Sequence, residues 1–144
     1  MASIASLRVV AFLIDLVVYV ALWVFFYFNI HLGDYLSWLL ASVYILIKDG
    51  LFGGQSIGKL VFRLKVVQEA EEDKPASLID SVQRNAILVI PNIFRFIPFL
   101  GSLLFIVIFV WETYLIFTHP EGRRWGDQFA RTRVLALRSG EQES

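Results

Sequence analysis

Apolar residues fall into four long runs along this chain, and the polar residues gather between them. Residues 9–28 form the first run, and as a helix they meet the about 20 residues that a ~30 Å hydrocarbon core demands. Arg8 stands at the start of this run and Asp15 inside it. Trp23 and Tyr27 fall near its far end, where amphipathic rings favour a membrane interface. Residues 29–34 make a short polar break, and residues 35–52 form the second run, with Lys48 and Asp49 near its end. So short a connection predicts an antiparallel helical hairpin. The third run, residues 78–96, opens on Ser77 and Asp80, a helix-start signal. It also carries Arg84, Asn85, Asn92 and Arg95, and Pro91 kinks or breaks it. It is read as a polar third helix, packed on protein or partly interfacial, which either crosses with a kink or re-enters. Residues 99–117 are the fourth span, with Glu112 inside.

Between the two hairpins the pattern changes. Gly53-Gly54-Gln55-Ser56-Ile57-Gly58-Lys59 is the most glycine-rich stretch and reads as a structural turn, carried by Gly53, Gly54, Gln55, Gly58 and Lys59. Leu60, Phe62, Leu64 and Val66 then alternate with Val61, Arg63, Lys65 and Val67, and this period of two predicts a strand over residues 59–68. Glu69, Glu71, Glu72 and Asp73 read as a solvated acidic turn. Beyond the fourth run, residues 123–130 suggest a short surface helix, residues 132–138 a second strand, and residues 139–144 a disordered polar tail. The expected fold is an all-α membrane protein: one domain, a four-helix transmembrane bundle of two helical hairpins, with a small cytoplasmic β-hairpin-like element. The strand is expected to pair with residues 132–137, bringing Asp127 beneath Arg8, Asp15 and Arg84.

Composition strengthens the membrane reading. The chain is 57% hydrophobic and 18% charged, against about 45–50% and about 25% in soluble domains. Its first run is interrupted by Asp15 and is followed by no small-residue cleavage site, so it reads as a retained helix rather than a signal peptide. Formal net charge is zero, which gives no pull toward nucleic acid, and the absence of cysteine excludes disulfides and thiolate metal sites. The placement of charge sets the orientation. Four crossings with both termini inside leave only Arg95, of 13 Lys and Arg, on the outside. Three crossings would export Arg123, Arg124, Arg131, Arg133 and Arg138, against the positive-inside tendency.

Candidate chemistry is confined to a few positions. Gly53-x-x-x-x-Gly58-Lys59 imitates a phosphate loop, but Leu60 stands where Ser or Thr must hold magnesium, and a membrane helix precedes it where a strand belongs. Asp15 and Glu112 are different, because a carboxylate inside a span costs about 2.5–3.5 kcal/mol on insertion scales and needs a partner or a proton. Helix rise places both in the inner half of the bilayer, level with Arg84 and Asn85. Two readings stay open. Asp15, Glu112 and Asp127 are ion or proton relays with Arg8, Arg84 and Asn85 as charge partners, or these groups form a self-satisfied structural network, with Glu112 paired to Arg84. His31 and His119 lack a second ligand, so no metal and no cofactor are expected. No nucleophile–base arrangement appears, so no enzyme is expected.

In sequence order, Arg8, Asp15, the run Gly54-Gln55-Ser56-Ile57-Gly58-Lys59, the pair Arg84-Asn85 and the segment from Trp125-Gly126-Asp127 to Val134 resemble the motifs of the RDD family of small bacterial membrane proteins. The family is named for one Arg and two Asp, here Arg8, Asp15 and Asp127. Arg131 departs from the pattern, standing where a small residue, often Gly, is usual. The resemblance implies a multi-pass protein of the bacterial inner membrane with cytoplasmic termini. Some members have been associated with sodium–proton exchange. The expected function is therefore transport-related, a cation/proton antiporter through the inner-leaflet carboxylates; the alternative is a non-transporting membrane scaffold or partner-binding protein. Expected partners are the lipid bilayer, a monovalent cation or proton, and a second copy or another membrane protein.

Overall fold

A computed structural model describes residues 3–71, 74–94, 97, 99–120 and 122–137. The expectations for Arg95, Glu72, Asp73, the tail 139–144 and the side chain of Asn92 fall outside the described residues.

Helix α1, Ile4–Val24, starts where the Ser3 hydroxyl accepts the Ser6 N–H, and runs on through a π-helical turn, Phe25–Asn29. It turns back at Gly33 into α2, Asp34–Ile47, which closes in a 3-10 turn, Lys48–Gly50. Tyr19, Ala41, Tyr44, Ile45 and Leu88 form the apolar centre of the helices. Toward the far end, Trp23 stacks on Trp38 at 5.0 Å and on Tyr27 at 5.3 Å, so the aromatic residues expected at an interface tie α1 to α2 there. The other side of these helices presents large apolar residues outward, among them Val17, Phe28 and Leu40. Such a surface suits lipid rather than water.

After the glycine stretch the chain does not extend directly into a strand. Ser56 caps a short helix, α3, Ile57–Val61, its hydroxyl accepting the Lys59 N–H. Strand β1 is Leu64–Gln68, shorter than the predicted 59–68. The alternation from Leu60 onward misled because a local cap governs Ile57–Val61, and because Arg63 takes a left-handed conformation, φ 54°, that separates helix from strand. Strand β2, Thr132–Ala136, pairs antiparallel with β1, Leu64 facing Ala136 and Gln68 facing Thr132. That pairing is the one expected from sequence. Gly54 joins the same layer, its carbonyl accepting the Val66 N–H at 2.7 Å.

Helix α4, Leu78–Ile93, begins with reciprocal bonds between Ser77 and Asp80, as its sequence signalled. Pro91, which has no N–H to donate, sits inside the helix in its last turn. Helix α5, Leu100–Thr118, is followed by α6, Trp125–Ala130. At 1.5 Å per residue, α2 and α4 reach only about 21 and about 24 Å, short of the ~30 Å core, whereas α1 and α5 are long and apolar enough to cross. Among the described residues two helices, not four, thus meet the length for a full span; α2 gives way to the polar turn Lys48–Gly50, and the first half of α4 carries Asp80, Arg84 and Asn85. The glycine stretch, α3, the two strands and α6 form a cap across those ends.

Candidate functional site

Among the described residues nine charged side chains are buried where the cap meets the helices: Arg8, Lys48, Lys59, Arg84 and Arg124 against Asp15, Asp49, Glu112 and Asp127. The protein must pair them, since an isolated charge in a low-dielectric interior is far costlier than a paired one.

Asp15 is fully buried on α1. Its Oδ1 accepts the Tyr44 hydroxyl at 2.8 Å and the Gly58 N–H at 2.9 Å. Its Oδ2 accepts the Ser56 hydroxyl at 2.7 Å and lies 3.3 Å from Lys48 Nζ. The first turn of α3 brings its unpaired N–H groups to the carboxylate. Only glycine permits that approach, because a Cβ at Gly58 would stand 1.9 Å from the Ala11 carbonyl oxygen. The glycine motif is therefore a seat for α1, and Asp15 fastens it.

Asp49, in the 3-10 turn, binds Lys59 Nζ at 2.6 Å, Arg84 Nε at 2.9 Å and Asn85 Nδ2 at 2.9 Å, with Lys48 at 3.5 Å. Asp127, in α6, pairs with Arg8, with Arg84 Nη2 at 2.8 Å and with Arg124 Nε at 3.7 Å, and accepts the Arg124 backbone N–H at 3.2 Å. Arg8 also donates to the Gly122 carbonyl. Arg124 reaches back to Glu112 Oε2 at 2.9 Å and to Asn85 Oδ1 at 2.7 Å, and Arg84 donates to Thr132 Oγ1 at 2.9 Å. Lys48 links Asp15 to Asp49, Arg84 links Asp49 to Asp127, and Arg124 links Asp127 to Glu112. The result is one continuous network through α1, α2, α3, α4, α5, α6 and β2.

Electrostatics follow from that geometry. Burial by itself would raise the Asp127 carboxyl, but the guanidiniums of Arg8, Arg84 and Arg124 outweigh it and hold Asp127 well below the usual carboxylate range. Burial lowers the Lys59 ammonium to about 7 despite Asp49 beside it, because Lys48 and Arg84 repel it as well.

The expected gathering of Arg8, Arg84, Asn85 and Asp127 is present, with Asp15 and Glu112 in the same network. Two pairings differ. Asp15 meets Lys48 rather than Arg8 or Arg84, since the guanidiniums of both turn to Asp127. Glu112 meets Arg124 rather than Arg84, because Asp49 and Asp127 already hold Arg84 on both sides. Of the glycine-stretch residues, Gly53 and Gly54 turn the chain at positive φ, Gln55 donates to the Leu64 carbonyl at 3.0 Å, and Lys59 proves to be an ionic member of the network. Sequence reasoning missed Lys48, Asp49, Arg124, Tyr44 and Ser56. The adjacent pair Lys48-Asp49 ending an apolar run was the one available signal. Glu69, expected in a solvated turn, receives both Nη atoms of Arg123 at 3.1 Å and clips the β1 end to the chain before α6. Among the described residues no cluster of three His, Asp or Glu side chains is placed to hold a metal.

The sequence model of the RDD family matches residues 3–131, nearly the whole chain, which takes in Arg8, Asp15 and Asp127. No curated protein and no solved structure matches the chain. With that family match and two helices apolar and long enough to cross a bilayer, the chain belongs to the RDD family and is an integral membrane protein.

Proposed function

We propose that this protein is a non-transporting, multi-pass component of the bacterial inner membrane, with both termini cytoplasmic. Its buried charges form a structural lock that fastens a cytoplasmic cap to the inner ends of four membrane-embedded helices. The cap is then the surface it offers to other proteins. The observation that carries this reading is the saturation of Asp15, whose two oxygens meet three hydrogen-bond donors and an ammonium. An exchanging carboxylate must shed its partners to take up a cation or a proton, and Asp15 has four to shed. Orientation is supported by the described Lys and Arg, all of which lie in the cap or at the helix ends beneath it, as the positive-inside tendency favours. No enzymatic activity is part of the proposal.

The test is a comparison of wild type and Asp15→Asn in proteoliposomes and in detergent. The lock predicts no proton-coupled sodium or potassium flux from wild type, and a loss of about 3–5 kcal/mol of stability in the variant, as for breaking a buried pair. Proton-coupled flux that disappears in a normally folded Asp15→Asn would overturn it.

One observation favours a second reading, proton-coupled transport. Glu112 Oε1 is buried and without a hydrogen-bond partner, unlike the oxygens of Asp15. A relay at Glu112 predicts flux that Glu112→Gln abolishes while Asp15→Asn merely lowers the yield of folded protein.

A further inference from the structure

The buried network is not balanced within itself. Five cations face four carboxylates among the described residues, and burial already disfavours the charge on Lys59. All five cations, Arg8, Lys48, Lys59, Arg84 and Arg124, line one small cavity of about 40 Å³, in which Glu112 is the single acid. Room for a water takes about 10–15 Å³ on the same measure, so a phosphate-sized group fits. A cavity lined this way repels cations and attracts anions.

The opposite side of the cavity is apolar, and a larger groove of about 770 Å³ lies against it. Phe12 and Leu88 line both spaces. From them the groove continues past Leu16 and Tyr19 on α1 and past Phe105 and Ser102 on α5. Helix rise from Phe12 to Val20 gives the groove a run of about 12 Å, and from Arg8 in the cavity to Val20 the two together span about 18 Å. A headgroup-sized cationic cavity at one end of an acyl-length apolar groove has the polarity of one phospholipid standing in one leaflet.

We propose that this cavity and groove form a binding site for a single anionic phospholipid, its phosphate among Arg8, Lys48, Lys59, Arg84 and Arg124 and an acyl chain lying along Phe12, Leu88 and Phe105. The unpartnered Glu112 Oε1 accepts a headgroup hydroxyl such as that of glycerol. The lipid supplies the missing negative charge, so it acts as the last member of the network. The proposal goes beyond the structural lock and holds in either membrane orientation.

The experiment is thermal unfolding of the detergent-purified full chain with added dioleoylphosphatidylglycerol, dioleoylphosphatidylcholine or inorganic phosphate. Phosphatidylglycerol is expected to raise Tm by about 5 °C, and the other two to leave it unchanged. Two variants separate the ends of the site. Thr113→Glu places a carboxylate in the cavity and provides the missing charge within the chain. Ser102→Trp fills the groove from an exposed position. Each is expected to fold and to lose the phosphatidylglycerol effect, with apparent affinity weakened about tenfold or more. Equal stabilisation by phosphatidylcholine would show a general acyl effect, and equal stabilisation by inorganic phosphate a free-anion site; either overturns the proposal. So does phosphatidylglycerol stabilising wild type, Thr113→Glu and Ser102→Trp alike.

Discussion

Arg131 ends α6 in the left-handed region, φ 55°, ψ 50°, with its side chain exposed. Glycine takes this position without the crowding of a Cβ, and helix ends commonly use it so. The departure from the family pattern at Arg131 is therefore a backbone matter. Arg131→Gly is expected to stabilise the protein by about 1 kcal/mol, read as a raised unfolding midpoint in detergent. Lys59 makes a prediction of opposite character. Its pKa is depressed on folding from 10.5 to about 7, so between those values the unfolded chain binds the extra proton. Stability must then rise with pH through that window. Thermal unfolding from pH 7 to 10 should show this rise in wild type and a weaker one in Lys59→Met. Asp127 gives the same sign in acid. Its carboxyl is depressed, so its contribution is complete above the ordinary value of 3.8 and is lost as the pH falls below it.

Residues of this kind were unequally legible. Asp15 and Glu112 announced themselves, because an acid inside an apolar run has no cheap solvent exposure. Lys48 and Asp49 lie at the end of such a run, where a solvated position is the ordinary reading, yet they are 1% and 0% exposed. Arg124 lies outside every span, and nothing in its neighbours tells that α6 folds it back beneath α5. The cap that covers these groups is assembled from two separated segments, so their burial is a tertiary fact that local pattern does not contain.

At the scale of elements, the cap is held at two close approaches. Gly58 in α3 lies against the backbone of α1 at Ala11, and Gly126 in α6 lies against the backbone of α4, where a Cβ would stand 1.9 Å from the Arg84 carbonyl oxygen. Backbone cannot move aside as a side chain tip does. Gly58→Ala and Gly126→Ala are each expected to cost more than about 3 kcal/mol, seen as loss of monodisperse protein on purification. Gly53→Ala, which meets no atom within 4 Å and is opposed only by its positive φ, should cost about 1 kcal/mol and purify normally. The β1–β2 pairing was legible because period two survives in residues 64–66, and residues 132–138 carry modest strand character. Helix α3 was not, since five residues carry no helical period, and only Ser56 as a cap marks it. The shortness of α2 and α4 was half visible, in Lys48 and Asp49 just past α2 and in Asp80, Arg84 and Asn85 in the first half of α4.

The whole molecule is two packings joined by one ionic layer. Above the layer, aromatic and aliphatic contacts join α1, α2 and α4, while α5 keeps most of its apolar surface outward. Below it, the strands bury Leu64, Val66 and Val67. Exposed Trp125 and Phe129 on α6, with Trp125 edge-on to Trp111 at 5.3 Å, suit the headgroup region where the two packings meet. Asp127 is the residue through which the layer holds the cap, since three arginines from α1, α4 and the start of α6 converge on it. Hydrogen exchange on Asp127→Asn in detergent tests that claim most directly. The lock predicts that amides of Leu64–Gln68 and Thr132–Ala136 lose protection together while those of α5 keep theirs. Protection of both strands unchanged from wild type, in a variant that has lost its carboxylate, would contradict it.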